Sequence, residues 1–348
     1  MQGSPRSGSQ TVALVTGGAG FIGSHLVERL VASGRRVRVT DNLSTGSERN
    51  LAHLVDNVDF LHGDLRDPDT CRAAVHGVDI VFHVAALPSI PRSLKDPWAS
   101  HDANVNATMR LLLACVEAGV RRVVYSSSSS VYGNTATLPK LESGEALPRS
   151  PYAASKLAGE QYVLAFARVG RLEGVALRYF NVFGPRQDPD SPYAAVIPTF
   201  LRAAYEGCPA IVFGDGTQTR DFTYVANVVD ANVLAAAAPV GVANGAVVNI
   251  GAGERTSLLR LLELVREVTG RDVGVQRRPP RPSEVRDSLA GLARAQSLIG
   301  YQPSVTLREG LKRTWDWFQA AEREKQVAVG PPSVNVAPGR GAAAVRPA

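Results

Sequence analysis

Tyr152 and Lys156 stand four residues apart in Ser150-Pro-Tyr-Ala-Ala-Ser-Lys156. Ser150 and Pro151 suit a helix start, and residues i and i+4 share one helical face, so a phenol and an ammonium are brought together. A free phenol has a pKa of ~10 and is a poor base at neutral pH. A positive charge about 5 Å away, at an effective dielectric of ~20, is worth roughly 3 kcal/mol, or about 2 pKa units. A phenolate poised in this way suits proton removal from a hydroxyl group. The same spacing on a bare surface would be an ordinary helical pair, so the neighbours decide. Upstream, five consecutive serines, Ser126 to Ser130, follow an apolar run and precede Val131-Tyr132-Gly133. In that setting they line the C-terminal mouth of a strand rather than forming a linker. One of these hydroxyls can relay a proton to or from Tyr152, and spacing alone leaves open which.

A second set of residues points to an anion. Val12-Ala-Leu-Val-Thr16 runs into Gly17-Gly-Ala-Gly20-Phe-Ile-Gly23, which opens an apolar-periodic segment. The first glycine permits the tight turn, the second lets backbone approach a pyrophosphate, and the third lets helix pack on strand. The helix start offers N–H groups and a positive dipole end to the phosphates. Asp41 closes the second strand, near the ~20-residue offset expected for an acid that binds a ribose 2′-hydroxyl. A Gly-rich structural turn alone would not require an acid there. Its carboxylate repels a 2′-phosphate, and Asn42-Leu-Ser-Thr-Gly46 carries no basic residue to hold one. The expected cofactor is therefore NAD rather than NADP. Asp64, in Gly63-Asp-Leu65 after the third strand, is placed to meet the adenine, or else acts as a turn or cap aspartate.

The elements that must position these groups follow from the same rows. Short apolar runs at Thr11–Thr16, Arg36–Asp41, Val58–His62, Ile80–Val84, Val123–Ser127 and Val175–Tyr179 read as strands. Helical segments fall between them at Gly20–Ser33, Pro68–His76, Ala103–Ala118 and Pro151–Val169. Asp67 is the expected N-cap of the second helix, with Pro68 at its first position. Alternation of apolar strands with helices predicts an α/β fold, a Rossmann-type doubly wound parallel sheet. From about 185 the order loosens, which predicts a smaller mixed α/β C-terminal lobe. The expected organisation is a loose arm over 1–10, a dinucleotide-binding domain over 11–184 with returns from the C-terminal half, a substrate lobe over 185–327 and a disordered tail over 328–348. A last helix at about 307–325 carries Trp315, Trp317 and Phe318 as packing aromatics.

Composition narrows the class. The 348 residues are 45% apolar and 20% charged, enough to bury a large core without disulfide or metal staples. No apolar run reaches the ~18 residues of a membrane span, and MQGSPRSGSQ has no secretory pattern. Cys71, Cys115 and Cys208 are few and scattered, which fits a reducing, cytoplasmic setting. The net charge of +6 comes from dispersed basic residues, so a groove for a small anionic ligand is expected and nucleic acid is not. The six histidines form no metal motif, and His83 reads as a packed, hydrogen-bonded strand residue.

Taken together, TGGAGFIGSHL, DNLSTG, HVAA, SSSSVYG, SPYAASK, RYFNVFGPRQDP and GDGTQTRDFTYV resemble the extended short-chain dehydrogenase/reductase family. Within it they resemble the nucleotide-sugar 4-epimerases, over about 10–325. The resemblance implies a tightly held NAD, Tyr152 as base, Ser128 at the catalytic Ser/Thr position and Lys156 also holding the nicotinamide ribose. It implies cofactor positions at Phe21, Ile22, Asp41, Asn42, Ser44, Thr45, Gly46, Asp64, Leu65, Ala85, Ala86, Asn104, Ser126 and Phe180. These join Gly17, Gly20 and Gly23. It implies nucleotide-diphosphate or sugar positions at Ser89, Ser129, Asn181, Ala195, Val196, Arg220, Arg281 and Ser288. Arg220 and Arg281 are residues able to fork onto a diphosphate.

Differences inside the family favour epimerisation. Dehydratase relatives carry an Asp-Glu pair where Ser129-Ser130 stands, and uronate decarboxylases carry Glu at position 130. Uronate 4-epimerases place Arg where Asp188 stands, and an aspartate there repels a substrate carboxylate. The implied substrate is a neutral UDP-hexose. Epimerases restricted to plain hexoses often carry Tyr at the position of Ser288, so serine implies room for an N-acetyl group. A 4,6-dehydratase, a uronate decarboxylase or an NAD-sensing binding protein are the alternatives. Helices around 98–118 and 151–169 resemble the family's dimerisation helices and imply a homodimer.

Overall fold

The computed structural model describes residues 11–189, 191, 194–280 and 285–329. The expected arm over 1–10, most of the expected tail and Arg281 lie outside the described residues. Seven parallel strands make the central sheet. They are β1 (Val12–Thr16), β2 (Arg36–Asp41), β3 (Val58–His62), β4 (Val78–His83), β5 (Arg122–Ser128), β6 (Glu173–Tyr179) and β7 (Ala246–Ile250). Their order is β7-β6-β5-β4-β1-β2-β3. Every pairing is parallel. The order reverses between β1 and β4, which opens a crevice at the strands' C-terminal ends, where open α/β sheets bind ligands.

The helices that cover the sheet include α1 (Phe21–Ala32), α2 (Pro68–Val75), α3 (Ala107–Ala118), α4 (Pro151–Arg168) and α5 (Val225–Ala237). Asp67 caps α2 as expected, accepting from the N–H groups of Asp69 and Thr70. Ser150 caps α4 through Ala153 N, with proline in its first turn. The helix expected from Ala103 has a different start. A short helix at Pro97–His101 runs through a π turn at Asp102–Asn106 into α3. A π turn differs from an α turn by a one-residue shift of the backbone hydrogen bond, which residue type does not mark.

Strand β7 supplies the return from the C-terminal half. Helix α5 also returns to cover the sheet, and the other helices beyond 185 include Val196–Glu206, Leu258–Thr269 and Leu307–Val329. Short strand pairs join Ala210–Phe213 to Val275–Arg278 and Thr219–Arg220 to Thr256–Ser257. The last helix extends to Val329, past the expected start of the tail. One apolar cluster runs from Ala13, Leu26 and Val39 through Phe200 and Leu261 to Trp315 and Phe318, so lobe and sheet share a core.

Candidate active site

The turn between β1 and α1 is built by close backbone approach. Gly17 has φ +68°, and a Cβ there would lie 2.7 Å from Ala85 Cα. A Cβ on Gly23 would lie 2.1 Å from the Gly17 carbonyl oxygen. Glycine alone fits either place. The α1 start has no side-chain cap and no acid in its first turn, which leaves it suited to an anion. A side chain would fill this cradle, and the residues present fit a dinucleotide pyrophosphate.

Asp41 ties the cradle to the loop after β2. Its Oδ2 accepts from Ala19 N at 3.0 Å and its Oδ1 from Leu43 N at 2.8 Å. Burial pushes its carboxyl up, and these backbone donors oppose the rise. Gly46 packs against Ala19, while Asn42, Ser44 and Thr45 are exposed on the same loop. Asn42 donates to Asp64 at 2.7 Å. Arg66 grips the same carboxylate and holds it well below the usual carboxylate range. Asp64 is thus a turn aspartate paired with arginine, standing at the mouth of β3. Leu65 is buried beside it.

A directional chain supports the loop after β4. Thr108 Oγ1 donates its hydrogen to Asn104 O at 2.7 Å, so it accepts from His83 Nε2 at 2.9 Å. His83 Nδ1 then accepts from Thr16 Oγ1 at 2.8 Å, and Thr16 Oγ1 accepts from Ala85 N at 3.2 Å. The histidine is neutral, protonated on Nε2, and burial lowers its pKa to about 3. It is packed and hydrogen-bonded, as its sequence position suggested. Asn104, in the π turn, accepts from Leu87 N at 2.7 Å and donates to Leu87 O and to Ser155 Oγ. Its amide is spent on shaping the loop that contains Ala85 and Ala86.

The five serines separate cleanly. Ser126 Oγ lies 2.9 Å from the Tyr179 hydroxyl, and Ser127 Oγ donates to Glu160 at 2.7 Å. Ser128 accepts from Ser130 N and Ser130 Oγ, and it is near enough to Tyr152 to oppose the upward push of burial on that phenol. With two donors filling its lone pairs, Ser128 keeps its own proton free to donate. Of the five serines it is the one that bears on the Tyr152 phenol.

Lys156 is buried, with Nζ 4.6 Å from the centroid of the Tyr125 ring. Burial brings its ammonium down to about 7, against the attraction of Glu160. Burial also raises the Tyr152 phenol, and the Ser128 hydrogen bond opposes this. In the protein without cofactor, burial is the larger influence on the Tyr152 phenol, and Ser128 opposes it.

On the lobe side, Ser288 Oγ donates to Asn181 Oδ1 at 3.3 Å, and Asp221 N donates to Ser288 Oγ at 3.4 Å. Arg220 is buried, and its guanidinium donates to Thr219 O and Arg286 O. Ser89 has φ +99° and caps the short helix Ile90–Lys95. Ala195 precedes the helix that opens at Val196, and Ser129 is half-buried after β5. Phe180 is 0% exposed and its ring packs on Tyr132. Ser126 is almost as buried and is engaged by Tyr179. Sequence reasoning missed Glu160, Arg178 and Arg186. Glu160 had one legible signal, its place four residues beyond Lys156.

Residues 13–251 match the model of the NAD dependent epimerase/dehydratase family. A UDP-glucose 4-epimerase of Mycolicibacterium smegmatis is 40% identical over 310 residues, covering 88% of this chain and 98% of the relative. The solved UDP-N-acetylglucosamine 4-epimerase from Methanobrevibacter ruminantium superposes with a TM-score of 0.84 at 40% identity, covering 90% and 99% of the two chains. The UDP-glucose 4-epimerase of Thermotoga maritima gives 0.85 at 37% identity, covering 90% and 100%. The sequence match and the strand order agree, and the chain belongs to the NAD-dependent epimerase/dehydratase family.

Proposed function

We propose that the protein is an NAD-dependent 4-epimerase of UDP-hexoses. The observation that carries the reading is the Tyr152–Lys156 pair on one face of α4, near a Ser128 hydroxyl whose lone pairs are filled by two donors from Ser130. That arrangement stabilises a phenolate and gives the substrate hydroxyl a short proton route. NAD, held at the β1–α1 cradle and the loop after β2, would supply reversible hydride acceptance at C4 of the sugar. Tyr152 takes the proton of the 4-hydroxyl and gives it back. Lys156 stands one helical turn below, holds the nicotinamide ribose and supplies positive charge to the same face. Ser129 and Ser130 carry no carboxylate with which to eliminate water, which supports epimerisation over dehydration.

The substrates include UDP-N-acetylglucosamine and UDP-N-acetylgalactosamine beside the plain hexoses. The small Ser288, tethered to Asn181, supports this breadth. Asn181, Arg220, Ser89, Ala195 and Val196 stand on the elements that would border the nucleotide and sugar. The working form is a cytoplasmic homodimer. Trp98, Leu94, Leu113 and Tyr162 are exposed on the helices after β4 and on α4, and support a subunit interface there. Incubating the protein with each UDP-hexose, without added NAD, and identifying the product sugar tests the activity. Epimer of unchanged mass is expected, and Tyr152→Phe should lower kcat by at least about a hundredfold. A product lighter by water or carbon dioxide would replace this reading with a dehydratase or decarboxylase.

A further inference from the structure

Glu160 is completely buried, and the chemistry described so far does not use it. It follows Tyr152 and Lys156 at the same four-residue interval, so all three share a face of α4. Its Oε1 accepts from Arg178 Nη2 at 2.6 Å, and its Oε2 from Arg178 Nε at 3.0 Å and Ser127 Oγ at 2.7 Å. Ser127 and Arg178 are cross-strand partners in the β5–β6 register. One carboxylate therefore ties the reacting helix to two adjacent strands, beside Ser128. Arg178 lies 4.6 Å over the Tyr132 ring, and the Tyr132 hydroxyl donates to Asn249 of β7 at 2.7 Å. A buried ion pair is seldom a net gain over an apolar pair, so stability is a poor account of it.

We propose that Glu160 is a positioning residue for the reaction, fixing α4 against β5 and β6 so that Tyr152 meets Ser128, and balancing the buried charge of Arg178 beside Lys156. The proposal rests on the epimerase reading only for its kinetic arm. The groups facing this centre are Lys156 and Tyr152 from α4, His83 from β4, Tyr125 from β5, and Arg178 from β6. Tyr132 faces Arg178 from the turn after β5. Glu160→Gln keeps the shape and leaves Arg178 unbalanced. An added positive charge favours the Tyr152 phenolate and disfavours the Lys156 ammonium, so both titrations move to lower pH.

The test titrates the Tyr152 phenolate by ultraviolet absorbance in NAD-loaded protein, as the difference between each protein and its Tyr152→Phe counterpart. In Glu160→Gln the midpoint should fall by about one pH unit. The kcat for a UDP-hexose should fall at least about tenfold, with KM within about twofold. In Glu160→Gln with Arg178→Gln the midpoint should return to its original value, while kcat stays low because the tether is gone. A melting temperature that drops while midpoint and kcat stay put overturns the proposal, as does a midpoint still displaced in the double variant. If the unaltered protein converts no UDP-hexose, the epimerase reading fails alone, and the phenolate titration still decides the role of Glu160.

Discussion

Gly23→Ala is the sharpest probe of the phosphate cradle. The new Cβ would sit 2.1 Å from the Gly17 carbonyl oxygen and 2.8 Å from Gly18 Cα, where ordinary contact begins at 3.4 Å. Both obstacles are backbone, so no side chain can swing aside. Helix α1 must retreat by roughly 1 Å, at an overpacking cost of about 1–3 kcal/mol. The Gly17 carbonyl also accepts from Gly20 N at 3.1 Å, and losing that bond adds about 1 kcal/mol. A helix start moved by this much loses a charge-assisted hydrogen bond to phosphate, about 1.5–3 kcal/mol, so NAD should bind about 10- to 100-fold more weakly. Calorimetric titration of cofactor-stripped protein with NAD, beside thermal melts, measures both effects. Gly34→Ala is the control. Gly34 has φ +78° with nothing within 4 Å of its Cβ, so it should lose about 1 kcal/mol of stability and bind NAD normally. If Gly23→Ala binds NAD and melts as the unaltered protein does, the close-packed turn is wrong.

Two further outcomes follow from buried groups. Ser288→Tyr should remove turnover of UDP-N-acetylglucosamine while sparing UDP-glucose, a swing of at least about a hundredfold in relative kcat/KM. Equal loss on both sugars would sink the pocket argument. Burial holds the folded pKa of His83 near 3, below the ~6.5 of an unfolded histidine. Between those values the unfolded chain binds a proton that the folded chain refuses, so stability falls as pH drops, by about 1.4 kcal/mol per unit from this group. Urea unfolding across pH 6 to 4 should show His83→Gln losing stability less steeply, by about that slope. Parallel pH curves would contradict it.

How much of this could be read in the chain depended on the range of the interaction involved. Strands β2 and β3 end where expected, because Asp41 and Gly63 punctuate them locally. The Asp67 cap is local too, as is the Tyr152–Lys156 face. The π turn at 102–106 was illegible because it rests on a shift in backbone hydrogen bonding that residue type does not mark. Phe180 occupies the expected place in the chain, yet the fold turns its ring into the core. The division of labour among Ser126, Ser127 and Ser128 depends on Tyr179, Glu160 and Tyr152, which only tertiary structure brings to them. The Glu160–Arg178 pair crosses from helix to strand, so residue type could show a charged helical position but not its partner.

The backbone adds an argument that side chains alone do not. Among the described residues, four non-glycine residues have positive φ: Leu43, Ser89, Asn181 and Arg186. Leu43 and Asn181 lie two residues beyond β2 and β6, Ser89 six beyond β4, and Arg186 five beyond Asn181. All therefore stand at the sheet's C-terminal side, on the loops that border the crevice. Each such conformation costs about 1–3 kcal/mol and persists only where its surroundings hold it. The holders are identifiable. Asp41 binds Leu43 N, the Ser89 hydroxyl caps the helix it precedes, Ser288 and Thr223 bond to Asn181, and Glu28 with Ser24 of α1 binds the Arg186 guanidinium. Arg186 thus fastens the loop after β6 to the helix that opens at the phosphate cradle. The cofactor and substrate sides of the crevice are consequently not independent, because strain on one is held by groups of the other. A rigid sheet makes that arrangement affordable, and it explains why the loops bordering the crevice break local conformational preferences while the strands obey them.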